Sequence, residues 1–377
     1  MTEQTIPHSP TRFSWRFWRS EASTGNREIR AQRTIFGLVV VLIAAILAGL
    51  ATGPIRIPII DLLWSYIQHL MNGGQGRPDE VSLRDWIVLW EIRLPRVIIG
   101  ALVGASLAVS GAILQGLFRN PLADPGIIGV SSGAALGAAS FIVLGSTILA
   151  PIAMLLGIFA LPFAAFTGSL LTTWLLYRIG TQSGVTSIAT LLLAGIALGA
   201  LANATTGLLI YIADDQQLRD LTFWGLGSLA GTTWSKVYGA GPIMLAALFL
   251  AQPLAHGLNA LMLGEAAASH IGIRVQRFKR ICILLVAAAV GSAVAVSGGI
   301  GFVGIVVPHL LRLTIGPDHR YLLPAAALLG ATLLIMTDAL SRTIVAPAEL
   351  PIGILTAFIG APFFLWLLLR KRGLSGL

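Results

Sequence analysis

At 377 residues, 56% of them apolar and 11% charged, and with a mean hydropathy of +0.84, the chain has far too few charged side chains for a water-soluble surface. Its net charge of +9 is dispersed over several short segments without a recognisable nucleic-acid-binding motif, which argues against a nucleic-acid partner. The single cysteine, Cys282, excludes an internal disulfide and has no metal-site spacing around it. Composition therefore predicts an all-α polytopic membrane protein whose main surroundings are the lipid bilayer.

In chain order, the sequence divides into a basic leader, residues 1–34, and a membrane domain, residues 35–377. In the second part, ten apolar segments approach the roughly 20 residues that a helix needs to cross a bilayer. The segment from Ser297 to Pro308 is the least regular, because several glycines interrupt it. The predicted spans are 35–53, 95–117, 127–148, 151–177, 187–211, 237–256, 280–297, 302–315, 321–341 and 351–369.

The distribution of lysine and arginine predicts the orientation of these spans. If the N-terminus lies inside, most of the 25 basic residues fall on inner segments. The positive-inside rule then places both termini, and with them the basic leader, in the cytoplasm.

The sequence contains an internal repeat. The residues GASLAVSG, from Gly104 to Gly111, return as GSAVAVSG from Gly291 to Gly298, an offset of 187 positions. Because the second copy lies five spans after the first, the chain direction is reversed, which predicts an inverted repeat of the kind found in transporters. The halves cover about 93–211 and 280–370. The alternative is that small-residue membrane helices resemble one another by composition alone.

The predicted spans lack buried acidic residues, and the sequence lacks catalytic and ATP-binding motifs; both absences bear on the transport mechanism. All 16 acidic residues lie outside the spans or near their ends, Asp338 being the deepest, whereas proton-driven carriers usually need ionisable groups within the membrane. Sodium coupling through carbonyl groups stays open. The sequence has no paired-acid, HExxH or Ser/His/Asp constellation that would indicate an enzyme. It also has no GxxxxGK[ST] phosphate loop, so any ATP hydrolysis belongs to another polypeptide.

Several motifs, which together extend over nearly all of the chain beyond residue 35, carry a family resemblance. The longest is EIRLPRVIIGALVGASLAVSGAILQGLFRNPLADPGIIGVSSGA, residues 91–134. The others, in order, are LLLAGIALG, FWGLGSLAG, LNALMLGEAAASHIGI, GFVGIVVPHLLR, DHRYLLP and ELPIGILTAFIGAPFF. This series resembles the FecCD-type permeases of ABC importers, which bring iron chelates, haem and cobalamin across the bacterial inner membrane. The basic leader departs from the family pattern by its length.

The resemblance implies a complete assembly. It implies a homodimer of ten-helix subunits in the inner membrane, two ATPase subunits on the cytoplasmic side and a periplasmic substrate-binding protein. ATP and Mg are then held by the ATPase, and this chain is a transport subunit without a cofactor or metal of its own. The motif FWGLGSLAG is most similar to haem-importing members, while cobalamin or a ferric siderophore stays open as the cargo. The alternative from another class is an ion-coupled secondary transporter with the same inverted repeat.

Three arginines near the predicted outer ends of the spans are candidates for contact with the binding protein. Arg93 and Arg96 flank Pro95 at the start of the second span, and Arg342 lies at the end of the ninth. In the family, arginines at matching positions receive acidic residues of the binding protein, and the planar fork of arginine suits carboxylates. The alternatives are that Arg93 and Arg96 anchor a span in the headgroups and that Arg342 pairs with Asp338, one helical turn away.

The loop between the sixth and seventh spans predicts two short helices broken at Gly264, with Glu265 opening the second, where a carboxylate suits the helix dipole. It resembles the coupling helices of the family, which fit a cleft in the ATPase. The alternative is an ordinary helical loop capped by Glu265. The residues assigned to coupling are Leu263, Gly264, Glu265, Ala266, Ala267, Ala268, Ser269 and His270.

A stripe of mostly small residues recurs every four positions on the fifth span, at Gly195, Gly199, Asn203 and Gly207. Such a stripe most often marks close helix packing. Because the fifth span borders the pathway in this family, it also supplies candidates for lining the pathway. Ser110, at the end of the first repeat copy, is added to them, with a hinge or packing role as its alternative. The candidate lining residues are Ser110, Asn203, Thr205 and Thr206.

Overall fold

The computed structural model describes residues 24–53, 82–126, 129–182, 185–346 and 348–372, together with residues 55, 58, 60, 64, 67 and 71. This part of the chain is helical, apart from an antiparallel hairpin of β1 (Thr181–Gln182) and β2 (Val185–Thr186). The helices are α1 (Thr24–Ala51), α2 (Leu83–Leu117), α3 (Val130–Leu144), α4 (Ala150–Gly180), α5 (Ile188–Ile212), α6 (Asp215–Gly225), α7 (Trp234–Met262), α8 (Glu265–His270), α9 (Val275–Ser297), α10 (Val303–Ile315), α11 (His319–Ile344) and α12 (Ile352–Arg372).

A helix lies at each of the ten predicted spans. Seven of them, namely α1, α2, α4, α5, α7, α9 and α11, are long and apolar enough to cross a membrane, whereas α3, α10 and the apolar part of α12 are shorter. Helices α6 and α8 fall between predicted spans. Helix α1 begins at Thr24, so it extends into the predicted leader, whose residues 1–23 lie outside the described residues.

The segment between α9 and α10 breaks the helical path, as its glycines predict. Helix α9 ends at Ser297, and Gly298 has a φ of +69°, which favours glycine. Phe302 has a φ of +68°, unusual for a residue with a bulky side chain, and α10 begins directly after it. The break is supported by packing, since the backbone N–H of Ser228 donates to the carbonyl of Ser297 at 2.8 Å.

Helices α2 and α11 cross in antiparallel fashion at the centre of the fold. Arg96 near the start of α2 pairs with Asp338 near the end of α11, while Gly116 near the end of α2 lies against His319 at the start of α11. Between these contacts, a Cβ on Gly104 would overlap the carbonyl of Gly330. Glycines allow this close approach of the two backbones, which buries α2 along most of its length.

The segment predicted as the second repeat copy also makes a close contact. Gly291 on α9 is the counterpart of Gly104, and it packs against Ser169 on α4. Helix α2 thus packs against a long helix of the second predicted half of the chain, and α9 packs against one of the first predicted half. This exchange of partners ties the two halves into a single core.

Candidate functional site

Three arginines gather where α2 begins and α11 ends. Arg93 closes a π-helical segment of α2, Val88–Arg93, Arg96 follows one turn later, and Arg342 lies in the last turn of α11. They are only 3%, 6% and 4% exposed, respectively. Because burying a charged group is costly unless it is paired and hydrogen-bonded, the partners of these side chains define the site.

Asp338 is the central partner in this arginine cluster, and it is 2% exposed. Its Oδ1 accepts hydrogen bonds from Nε and Nη2 of Arg96 at 3.0 and 2.8 Å, and its Oδ2 pairs with Nη2 of Arg342 at 3.0 Å. Arg96 also donates through Nη1 to Oε1 of Glu349 at 2.9 Å. The side chain of Glu349 is 34% exposed. Two guanidinium groups, those of Arg96 and Arg342, thus face the two carboxylates, whereas Arg93 is stabilised by Asp85 and by backbone carbonyls.

The remaining donors of the cluster satisfy the carboxyl end of α1. Arg93 and Arg342 both donate to backbone carbonyls there, and the last carbonyls of a helix have no partner within the helix and carry the negative end of its dipole. Two cations are therefore favourable at this position, and they fasten α1 to α2 and α11. The acceptors are the carbonyl oxygens of Gly49, Leu50 and Ala51 in the last turn of α1, and those of Thr52 and Ile55 just beyond it.

The structure brings together the three arginines that the sequence assigned to docking, and it buries their side chains within the protein. The pairing of Arg342 with Asp338, offered above as the alternative, is present. Docking of a binding protein stays a prediction. Sequence reasoning left Glu349 out, and the one signal for Asp338 was its place as the deepest acid, four residues before Arg342.

At the other end of α2 and α11, α7 turns sharply into α8. Helix α7 ends at Met262, Gly264 has a φ of +113°, and α8 begins at Glu265, so the predicted break is confirmed. A side chain at Gly264 would strain this backbone conformation. The predicted coupling residues have different environments, since Ala268 is buried whereas Leu263, Ala266, Ser269 and His270 are exposed.

The turn presents apolar side chains at the surface. Leu263 is 72% and Ile271 is 65% exposed, on either side of α8. Glu265 does not extend freely from the loop, because its Oε1 pairs with Nζ of Lys279 on α9 at 2.7 Å. An exposed apolar loop held by an ion pair is suited to burial against another protein.

Next to this loop, Asp318 caps the start of α11. Its side chain accepts hydrogen bonds from the backbone and guanidinium of Arg320 and from Asn259 on α7. Burial raises the pKa of Asp318, but these hydrogen bonds outweigh it and lower the pKa to about 2. The carboxylate is therefore ionised at neutral pH, and it holds α7 against α11.

The candidate pathway residues lie in two environments. Asn203 and Thr205 are exposed on α5, and Thr206 is half-buried. Ser110 is 1% exposed within α2, so it does not share their surface. Along the glycine stripe, the carbonyl of Gly195 approaches α3, while Gly207 faces open space. The first half of the stripe thus packs within the subunit, and its second half stays uncovered.

A junction of glycines that the sequence did not single out joins the motif FWGLGSLAG, residues 223–231, to two helix ends. Gly227 has a φ of +71°, and a Cβ there would overlap the carbonyl of Gly299. The backbone N–H of Gly353 on α12 donates to the carbonyl of Leu226 at 3.1 Å. Beside the junction lies a cleft of about 540 Å³, whose lining includes Leu226, Ala357 and Phe358. These backbone contacts hold the motif against the segment before α10 and against the start of α12.

Within one subunit, α5 leaves large apolar side chains such as Leu193 and Leu201 more than 60% exposed. Of the seven helices of membrane-spanning length, α1, α4, α5 and α7 leave wide apolar faces uncovered, which fits a lipid environment rather than water. Together with the exposed loop at α8, they define a polytopic membrane protein that works with partners. The chain belongs to the FecCD transport family, which matches residues 39–370, and it is a permease of the ABC importer class in the inner membrane.

Relatives of known description are similar over most of the chain. The hemin transport system permease protein HmuU of Yersinia pestis is 49% identical over 289 residues, 76% of this chain and 84% of its own length. The vitamin B12 import system permease protein BtuC of Klebsiella pneumoniae is 38% identical over 348 residues, 91% of this chain and 96% of its own. A solved structure described as an inward-facing conformation of a "metal-chelate type ABC transporter" matches with a TM-score of 0.77 and 32% identity, covering 90% of this chain and 99% of that chain.

Proposed function

We propose that this chain is the membrane permease of a binding-protein-dependent importer that carries haem across the bacterial inner membrane at the expense of ATP. The observation that carries the proposal is the 49% identity to the hemin permease of Yersinia pestis. The motif FWGLGSLAG, whose backbone builds the glycine junction beside an apolar cleft, supports it. A pathway with largely uncharged walls suits a bulky chelate, because strong contacts would trap the cargo.

In this proposal, two copies of the chain form the transport unit, each with ten crossings and both termini in the cytoplasm. The pathway runs between the copies, where the uncovered side of α5 presents Asn203 and Thr205. Each copy is built from an inverted repeat, and the contacts of Gly104 and Gly291 with helices of the opposite half support that arrangement.

The energy source is a pair of ATPase subunits that bind ATP and Mg. The loop at α8 fits a cleft of the ATPase, and its exposed Leu263 and Ile271 supply the apolar contact. Closure of the ATPase pair moves these loops and opens the dimer alternately to the two sides of the membrane. A periplasmic binding protein delivers the cargo at the opposite end, where the arginine cluster lies.

The proposal is tested by reconstituting the chain into liposomes with its ATPase and binding protein and by measuring uptake of haem, cobalamin and a ferric siderophore, with ATP and with a non-hydrolysable analogue. We expect uptake of haem that requires hydrolysable ATP and the binding protein. ATP-independent uptake down an ion gradient, by this chain alone, would instead make it a secondary transporter.

Cobalamin is the second candidate cargo, because the Klebsiella relative covers a larger share of this chain than the hemin permease does, 91% against 76%. The same experiment decides between them. ATP-dependent uptake of cobalamin but not of haem would keep the importer and replace its cargo.

A further inference from the structure

Two side chains of α9 hold the hairpin between α4 and α5 by contacting the backbone of one residue, Thr186. The N–H of Thr186 donates to Oε1 of Gln276 at 2.8 Å, and the carbonyl of Thr186 accepts from Nζ of Lys279 at 2.9 Å. Both side chains come from the first turns of α9, and Thr186 is buried. The two contacts fix the peptide groups on both sides of this residue.

Lys279 makes a second contact, which leads to the coupling loop. Its Nζ pairs with Oε1 of Glu265 at 2.7 Å, although α8 and the hairpin are far apart in sequence. The lysine side chain is only 3% exposed, whereas Glu265 is 39% exposed. A buried ammonium with three donors is stable only while acceptors surround it. A shift of Glu265 away from Lys279 would strand that charge, so the loop and the hairpin are favoured to move together.

Beyond the hairpin, the chain enters α5 at once. Thr186 precedes Ser187, the residue that caps α5 and whose Oγ accepts from the N–H of Thr190 at 3.3 Å. One side chain, that of Lys279, therefore separates Glu265 in α8 from the backbone that begins α5.

We propose that Glu265, Lys279 and Gln276 form a coupling clamp that transmits movement of the loop at α8 to the start of α5. The clamp rests on the proposed function, in which the loop is moved by an ATPase and α5 borders the pathway. Lys279 and Gln276 are positioning residues, since they touch neither cargo nor ATP. The clamp predicts that changes at Lys279, which is buried, and at Gln276, which is partly buried, separate ATP hydrolysis from transport.

The test uses the whole reconstituted importer and measures two rates, cargo uptake and ATP hydrolysis. Lys279→Met removes the charge and the donors at nearly constant length, and Gln276→Met removes the acceptor for the Thr186 N–H without touching Glu265. Lys279→Arg keeps a cation that can reach both acceptors. Glu28→Gln is the matched control, because it breaks an ion pair with Arg320, where both side chains are about half exposed and the hairpin takes no part.

Allosteric coupling energies in proteins correspond to effects of about 5- to 150-fold. We therefore expect Lys279→Met and Gln276→Met to bind the ATPase and hydrolyse ATP, while cargo moved per ATP falls at least about fivefold. Lys279→Arg restores most of the ratio, and Glu28→Gln keeps it. If Lys279→Met fails to assemble, Glu265→Gln and Gln276→Met, measured in the same way, carry the test.

An unchanged ratio in Lys279→Met and Gln276→Met would overturn the clamp. Uptake and hydrolysis falling in parallel would overturn it as well, because that result describes a contact that only stabilises the fold. The proposed function fails separately, through absence of ATP-dependent uptake by the unaltered chain.

Discussion

Replacing Asp338 with asparagine tests whether the arginine cluster holds the fold together. The substitution keeps the size of the side chain and one acceptor oxygen, but it removes the charge that faces both Arg96 and Arg342. Since all three side chains are no more than 7% exposed, water cannot take the place of the lost carboxylate. Glu349 stays, and the ion pair that it makes is with Arg96.

The magnitude follows from the cost of an unpaired buried charge. Removing one partner of a buried ion pair typically costs ~3–5 kcal/mol. The retained acceptor favours the lower end, so we expect a loss of about 3 kcal/mol in the free energy of unfolding for Asp338→Asn. For Glu349→Gln we expect less than about 1 kcal/mol, because that partner is partly solvated and such pairs contribute little.

The assay is equilibrium unfolding of the purified chain in detergent micelles, with α1 followed by a label near its carboxyl end. We expect Asp338→Asn to lower overall stability and to release α1 before the remaining helices. The double variant of Asp338→Asn with Arg342→Met should recover part of the loss, because it removes one stranded charge. If Asp338→Asn destabilises the protein no more than Glu349→Gln does, the reasoning about the cluster is refuted.

Three further results follow from the packing and the charges. Gly111→Ala gains about 1 kcal/mol of helix propensity, but the new Cβ would overlap the carbonyl of Gly304. We therefore expect a net loss of ~1–3 kcal/mol in the free energy of unfolding. Gly207→Ala is the control, because its Cβ meets nothing within 4 Å, and it should not destabilise the subunit. Ala267→Glu should leave ATP hydrolysis active but uncouple it from uptake, measured as cargo moved per ATP, and normal coupling would count against the role of α8. The folded pKa of Asp318 is lowered to about 2, below an unfolded value of about 3.9. The stabilisation by Asp318 is therefore fully present above about pH 4 and is lost as the pH falls from about 4 to about 2. Asp318→Asn should flatten that part of the acid-unfolding curve, and an unchanged curve would contradict the assignment.

The helices could be predicted from sequence because their signals are local. Runs of about 20 apolar residues mark the long spans, and the glycines after Ser297 mark the break, since backbone freedom is a property of the residue itself. The break at Gly264 was predictable for the same reason. The family motifs identified the class of transporter.

The partners of the charged residues were not predictable in the same way. Lys279 meets the carbonyl of Thr186 across 93 positions, and Arg96 meets Asp338 across 242, so no local pattern connects them. Neither the carbonyls that Arg93 contacts nor the N–H of Thr186 has a signature in the sequence, because every residue except proline carries both groups. Side-chain type therefore indicated that these arginines need partners, and only the fold decides whether the partners are internal.

The internal pairing of the arginines changes how docking of a binding protein should be tested. Arg93→Glu would place a carboxylate beside the carbonyls that end α1, so weaker association could reflect a displaced α1 rather than a lost contact. Glu349 offers a cleaner change, because it is the exposed member of the cluster and touches only Arg96 within it. If acidic side chains of a binding protein approach the arginine cluster, Glu349→Gln removes a repelling carboxylate and should strengthen association up to about fivefold at low salt. The gain in affinity should be smaller at high salt, as expected for a rim charge. The measurement is the affinity of the binding protein for the reconstituted permease at two ionic strengths. Equal affinities for the variant and the unaltered chain at low salt would mean that the cluster serves the fold alone.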